Sequence, residues 1–124
     1  MQNYNSKFKS GLIQRCCVFG LKIIKLTDNL PNKRSAWIIA GRLIRSVTSI
    51  GANLIEGKAS SLRLEFKKFY EIALKSANET KYRLNLLNDT NLAEQKEILS
   101  LLREVTEMAN MLGSGVIRLK RKNF

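Results

Sequence analysis

Residues 45–91 read RSVTSIGANLIEGKASSLRLEFKKFYEIALKSANETKYRLNLLNDTN, and this stretch decides the fold. Apolar side chains recur at steps of three and four residues on both sides of Gly57, which is the spacing of one face of an α-helix. The stretch therefore predicts two long amphipathic helices joined near Gly57. It also carries more polar residues than the apolar pattern alone demands.

The same periodicity extends outward from this hairpin over most of the chain. Pro31 ends the first helix, Ser35 is the expected N-cap of the second, and Gly57 is its expected C′ residue. Ser60 or Ser61 is expected to cap the third. The predicted helices span residues 6–26, 35–57, 62–88 and 92–121. Long helices with short connections predict an all-α protein, an antiparallel up-down-up-down four-helix bundle forming one domain over residues 1–124.

The second helix carries two apolar stripes where a surface helix has one. The first stripe, from Ala36 to Leu54, suits the core of the bundle. A second apolar stripe requires a second cover, either neighbouring helices of the bundle or another subunit, and we predict that it forms a subunit interface. Its members are Trp37, Gly41, Ile44, Thr48, Gly51 and Ile55.

Charge is the strongest indication of a partner. The chain has 22 Lys and Arg against 10 Asp and Glu, a formal charge of +12. Residues 1–63 carry eleven of these bases against two acids, whereas residues 64–124 carry eleven against eight. Such an excess favours a polyanionic partner, although a merely soluble basic surface has the same composition.

Several classes of function lack the residues they need. The chain has no histidine, which excludes Ser-His and Cys-His nucleophile pairs and imidazole metal ligands. Cys16 and Cys17 cannot complete a zinc site by themselves, and Cys16 suits a buried position in the first helix. No phosphate-binding glycine motif occurs. We therefore expect no enzyme activity, metal, cofactor or small-molecule substrate.

The location of the protein is also an expectation. Arg15 and Lys22 interrupt the apolar residues near the N-terminus, so no signal peptide is predicted. The longest uncharged apolar run, Ala36 to Gly41, is too short to span a bilayer. The sequence predicts a cytoplasmic protein without a membrane segment.

The polar positions of the hairpin resemble a known family. The run from Arg45 to Asn53, then Glu56-Gly57, then Phe66 and Phe69, and finally Glu79-Thr80 are similar to the signature of the bacterial four-helix-bundle family. That family includes the proteins encoded in 23S rRNA intervening sequences. More distantly it includes Avd, the accessory variability determinant of diversity-generating retroelements. The likeness extends over roughly residues 8–119.

This resemblance implies an assembly and partners. It implies a homopentamer, a barrel of five bundles that binds RNA or DNA and associates with a reverse transcriptase as a retroelement accessory protein. The alternatives are an rRNA intervening-sequence-encoded protein of unknown role, and a structural adaptor that binds an acidic protein.

The expected nucleic-acid contacts are Lys and Arg side chains that meet phosphates. The candidates are Lys22, Lys25, Lys33, Arg34, Lys58, Arg63, Lys67, Lys68, Arg118, Lys120, Arg121 and Lys122. A further set is predicted to form ion pairs across the hairpin, with an arginine-lined phosphate surface as the alternative. These are Arg42 and Arg45, opposite roughly positions 74–77, with Glu71 and Glu79.

Overall fold

Four α-helices account for almost all of the chain that a computed structural model describes, residues 11–121. No strand occurs within that range. Connections of three to five residues join the helices. The helices are α1 (Gly11–Asp28), α2 (Arg34–Ala59), α3 (Arg63–Asp89) and α4 (Gln95–Arg121). The all-helical class is confirmed, and positions 6–10 of the predicted first helix lie outside the described residues.

The core lies where the apolar stripes of the four helices meet. Phe19 of α1, Ile50 of α2, Leu84 of α3 and Leu112 of α4 are completely buried. The predicted core stripe of α2 is correct, because Ala36, Leu43 and Leu54 are also buried. Cys16 is buried as expected, and burial raises the pKa of its thiol to about 12.

Each helix packs against the next one along the chain, and α1 touches α4 more sparsely. Facing residues on α2 and α3 run in opposite directions, since Ser49 bonds to Ser76 whereas Ser46 bonds to Thr80. Between α1 and α4, Arg15 pairs with Glu107 and Lys22 with Glu104.

The hairpin turn differs from its prediction. Gly57 was expected to end the second helix, but α2 continues through it to Ala59, and no described glycine has a positive φ. Gly57 is instead buried at the crossing with α3, where a Cβ would lie 3.1 Å from Phe69 Cβ. Its small size therefore permits close helix packing rather than a left-handed cap.

The predicted caps at the other ends are also wrong. Lys33 occupies the N-cap position of α2 and Leu62 that of α3, both without a side-chain cap hydrogen bond. Ser60 closes the end of α2, since its hydroxyl donates to the Gly57 carbonyl at 2.6 Å. A serine beside a helix terminus can bond at either end, and the sequence did not distinguish the two.

Helix α2 is the one helix of the described range that is long and apolar enough, by length and composition, to cross a membrane. This is a weak indication, because a core helix of a soluble protein passes the same test. Of its apolar window 28% is buried, and Leu43 and Ile50 are among the buried residues.

Candidate nucleic-acid interface

One end of the bundle gathers most of the predicted phosphate-binding residues. Gly57 near the end of α2 packs on Phe69 of α3, and Gly115 of α4 packs on Tyr70. The last turn of α2, the first turns of α3 and the last turns of α4 are therefore neighbours, and we call this the cationic end. Its cations are Lys58, Arg63, Lys67, Lys68, Arg118, Lys120 and Arg121.

Few of these cations are neutralised by nearby acids. Lys120 Nζ lies 3.9 Å from Glu71 Oε2. Among residues 11–121, no ion pair involves Lys58, Lys67, Lys68, Arg118 or Arg121. The acids of the cationic end are three, Glu56, Glu65 and Glu71, so the seven bases outnumber them. The cationic end thus has a net formal charge of +4, seven bases minus three acids, out of +12 for the sequence.

A small groove of about 180 Å³ opens between α3 and α4 at the cationic end. Arg63 and Arg118 line it together with the rings of Phe66 and Tyr70, whose centroids are 5.2 Å apart. Burial raises the pKa of Tyr70, an effect that the nearby Arg118 charge partly offsets. A Cβ on Gly115 would lie 2.5 Å from the Tyr70 ring, so this glycine makes room for the aromatic wall.

The remaining predicted phosphate ligands lie elsewhere. Lys25, Lys33 and Arg34 are exposed at or near the opposite end of the bundle. Lys22 is held on α4 by Glu104, with 3.1 Å between Nζ and Oε1. Lys122 lies outside the described residues. The twelve candidates therefore do not form one surface.

A second, larger groove of about 560 Å³ runs between α2 and α3, and we call it the arginine groove. The predicted interhelical ion pairs are not formed in it. Glu71 pairs with Lys120 instead, and within the described part of the chain neither Arg42 nor Arg45 lies within 4.0 Å of an acidic oxygen. Its lining is Trp37, Ile38, Gly41, Arg42, Arg45, Ser46, Ser49, Glu79 and Arg83.

The register of the hairpin explains why Glu71 does not pair with these arginines. Arg83 Nη1 donates to the Arg42 carbonyl at 3.1 Å, so Arg42 lies opposite position 83 rather than positions 74–77. Each residue added to the end of α2 moves the facing position on α3 by one. Because α2 extends past Gly57, the arginines face a later part of α3 than predicted.

Hydroxyl groups occupy the floor of the arginine groove. Thr80 Oγ1 donates to Ser46 Oγ at 2.9 Å, and Ser76 Oγ donates to Ser49 Oγ at 2.8 Å. Asn53 Nδ2 also donates to Ser49 Oγ, at 3.0 Å. Ser46, Ser76 and Thr80 are buried, so these bonds fix the pairing of the two helices. Thr80 belongs to the signature on which the family resemblance rests, and the structure gives it this role in the pairing of α2 with α3.

The other flank of α2 is apolar. A groove of about 350 Å³ between α1 and α2, the apolar groove, is lined by Cys17, Leu21, Ile24 and their neighbours on α2. A Cβ on Gly51 would lie 3.5 Å from Cys16 Cβ, and one on Gly20 would lie 3.7 Å from Val47 Cγ1. Small residues thus bring the two helices close together.

The predicted subunit interface is divided between these two grooves. Thr48, Gly51 and Ile55 line the apolar groove, whereas Trp37 and Gly41 line the arginine groove. Ile44 is half-buried and packs on the core. The stripe is therefore largely uncovered in a single protomer, and its role in an interface stays a prediction.

No cluster of three or more His, Cys, Asp or Glu side chains that could hold a metal ion occurs among the residues searched, 11–121. The groove at the cationic end and the arginine groove contain aromatic, hydroxyl and guanidinium groups. This set of side chains suits binding of phosphates and bases, and it identifies a basic four-helix protein with two cationic surfaces.

Comparison with known proteins gives the family. Residues 9–114 match the family described as 23S rRNA-intervening sequence protein. The chain belongs to this family, as the resemblance of its hairpin residues predicted.

A solved structure is similar over nearly the whole bundle. It is the crystal structure of a protein with unknown function from the S23 ribosomal protein family of Bacteroides thetaiotaomicron VPI-5482. The two chains share 32% sequence identity with a TM-score of 0.79, covering 85% of this chain and 97% of the other. No curated protein matches this chain.

Proposed function

We propose that this protein is a non-enzymatic scaffold that binds nucleic acid through phosphate contacts at its cationic end. The observation that carries the proposal is the convergence of seven Lys and Arg side chains from α2, α3 and α4 on that end. Phosphates are the ligands that such an array attracts most strongly, because each neutralised phosphate releases condensed counterions. Arg63 and Arg118 would act as phosphate ligands beside the rings of Phe66 and Tyr70.

We further propose an up-down-up-down bundle and assembly through the apolar groove. The opposed pairing of α2 with α3 supports the topology. The exposed side chains of Thr48 and Ile55, with Gly51 between them beside the apolar wall of α1, support a second copy as the cover. The number five rests on the likeness to Avd. Light scattering of the purified protein should then give a mass near five times 14.1 kDa.

Assembly would make a polyanionic partner more necessary. Each protomer brings a formal charge of +12, and like charges in one oligomer repel unless salt or a bound polyanion screens them. A cytoplasmic RNA or DNA would supply that screening. A reverse transcriptase remains the protein partner that the likeness to Avd suggests, and a reverse-transcriptase gene beside this one would support it.

The salt dependence of RNA binding tests the proposal. Affinity for a structured RNA should fall by roughly three to five orders of magnitude between about 50 and 200 mM salt if six to ten phosphates are neutralised. A response that is flat over this range would refute phosphate-driven binding.

A charge-matched pair of variants tests the location of the site. Lys58→Gln, Arg118→Gln and Arg121→Gln together should reduce the salt slope by up to about three, roughly one for each phosphate that is no longer neutralised. The control replaces three exposed cations away from the cationic end, Lys75, Lys96 and Arg103, by Gln, and should leave the slope nearly unchanged. Equal reductions in both triple variants would show that the charge acts diffusely and that the cationic end is not the site.

The alternative of an adaptor for an acidic protein makes a different prediction. After exhaustive nuclease treatment, an adaptor would still retain its protein partner, whereas a complex bridged by nucleic acid would separate. Pull-down before and after treatment distinguishes the two.

A further inference from the structure

The geometry points to a single-strand site in the arginine groove, where one unpaired base stacks on Trp37 and the adjoining phosphates bind Arg42, Arg45 and Arg83. This inference rests on the proposed binding of nucleic acid. It adds a second site, separate from the cationic end, and specifies the form of the ligand as an unpaired strand.

The charges of the groove suit a phosphodiester chain. Three guanidinium groups, Arg42, Arg45 and Arg83, share it with the single carboxylate of Glu79. Arg42 and Arg45 are exposed, and Arg83 uses one of its five N–H donors on the Arg42 carbonyl. Most of the donors thus remain directed to ligand or water. Planar guanidinium groups match the geometry of phosphate oxygens.

Trp37 provides a stacking platform at the mouth of the groove. It lies in the first turn of α2 and is 75% exposed, the highest exposure among the large apolar side chains described. A tryptophan left in water at this position contributes nothing to the core of the protomer. Indole faces bind unstacked bases without regard to sequence, and arginines next to an aromatic ring strengthen such sites.

The shape of the groove favours one strand over two. It extends from Trp37 to Ser49, about 18 Å along α2 at 1.5 Å per residue, which is several times the 3.4 Å axial rise per nucleotide of a stacked strand. Adjacent packed helices lie about 8–10 Å apart, so the groove between them is narrow. Bases within a duplex are also unable to reach Trp37.

The floor is held in place before any ligand binds. Ser46 and Ser49 line the groove and are tied to Thr80 and Ser76 of α3 by hydrogen bonds of 2.9 and 2.8 Å. The arginines on α2 and α3 are therefore kept at a fixed separation, which lowers the cost of ordering the site on binding.

Intrinsic fluorescence provides a direct test, because Trp37 is the single tryptophan of the chain. Titration of the full-length protein with oligouridylate and with oligothymidylate should quench its emission, since a stacked base contacts the indole. A stronger response to one of these identifies RNA or DNA as the preferred strand. Duplex of equal length and polyglutamate should leave the emission nearly unchanged at the same charge concentration.

Variants separate stacking from charge. Trp37→Ala should weaken single-strand binding by roughly 5- to 150-fold, the usual range for removal of one base stack, and Trp37→Phe should recover part of that affinity. Arg42→Gln with Arg45→Gln should weaken binding and lower the salt slope, by about 0.7 for each phosphate that is no longer neutralised. The control, Lys96→Gln with Arg103→Gln, removes the same charge from α4 and should have little effect.

Three results would overturn the single-strand site while the proposed function stands. One is salt-dependent RNA binding with no change in Trp37 emission and unaltered affinity of Trp37→Ala. Another is quenching by duplex or polyglutamate as strong as that by single strands. The third is blue-shifted, unresponsive emission, which would place Trp37 in a subunit interface. Failure of the wild-type protein to bind any nucleic acid would instead refute the proposed function itself.

Discussion

The two grooves that flank α2 differ in chemistry although they share one helix. The arginine groove, toward α3, presents Arg42, Arg45 and Trp37 above a floor of bonded hydroxyls. The apolar groove, toward α1, presents Leu21, Ile24, Thr48 and Ile55 with almost no polar surface. One helix thus offers a cationic surface on one side and an apolar one on the other.

This difference indicates two kinds of partner for the two flanks. An apolar groove is stabilised by another apolar surface, such as a second copy of the chain. A cationic groove with an exposed indole is stabilised by phosphates and bases. The apolar surface of α2 is therefore broad because it packs on the core and also supplies an additional contact surface. The polar edge of the helix lines the arginine groove.

The largest effect is expected at Ile50, which is completely buried on the side of α2 that supports both grooves. Ile50→Ala should lower the free energy of unfolding by about 2–5 kcal/mol, through reduced burial and the cavity left behind. Urea unfolding measures this decrease. The control Ile38→Ala alters a side chain that is 52% exposed and should change stability by less than about 1 kcal/mol. Similar decreases in both variants would show that the core is assigned wrongly.

A matched pair of threonines compares the two flanks directly. Thr80→Val removes a buried donor to Ser46 and should cost about 1–3 kcal/mol, because an acceptor is left without its partner. Thr48→Val, on the apolar flank, removes a hydroxyl that is bonded to carbonyls of its own helix, including that of Ile44 at 2.8 Å. Its effect should be within about 0.5 kcal/mol. Equal costs in urea unfolding would contradict the role of the hydroxyl pairs in fixing the α2–α3 register.

Two glycines sharpen the comparison further. Gly41→Ala places a Cβ in open space, and Gly51→Ala places one 3.5 Å from Cys16 Cβ, an ordinary contact. Each should stabilise the protomer by up to about 1 kcal/mol through helix propensity, measured by thermal unfolding. If a second copy covers the apolar groove closely, Gly51→Ala should also weaken association in light scattering, whereas Gly41→Ala should not. Identical association of the two variants would argue against close contact at Gly51.

Cysteine labelling probes the apolar groove without a change in stability. Burial raises the pKa of Cys16 to about 12 and also raises that of half-buried Cys17, so alkylation should accelerate with rising pH as thiolate forms. At pH 8 only about one Cys16 thiol in ten thousand is ionised, so Cys17 should react first.

The dependence of the labelling rate on protein concentration shows whether a second copy covers the apolar groove. Cys17 lines the apolar groove, so association through that groove should slow its alkylation as protein concentration rises. Cys16→Ser leaves only the Cys17 signal, and Cys17→Ser serves as the control. A Cys17 rate that is independent of concentration while the mass rises would place the subunit contact elsewhere.

Much of the fold follows from periodicity. The core positions Phe19, Leu43 and Ile50 were predicted because a step of three or four residues puts apolar side chains on one helix face. The ion pairs of Glu71 with the arginines of α2 were predicted wrongly because they depended on where the turn lies. Two further residues of α2 change every facing pair along the hairpin. Helix ends are set by weak local bonds, such as that from Ser60 to Gly57, which several nearby residues could form equally well.

By itself the sequence determined four helices, their buried faces, the family signature and the positive charge, since each is written in the order and type of residues. Only the tertiary structure decided which cations meet. Arg118 is far from Lys58 and Lys67 in the chain but lies at the same end of the fold, while Arg45 lines a groove with Glu79 and Arg83 without an ion pair. The physical reason is that side-chain periodicity is local, whereas the pairing of helices depends on the whole length of each helix and on the turn between them.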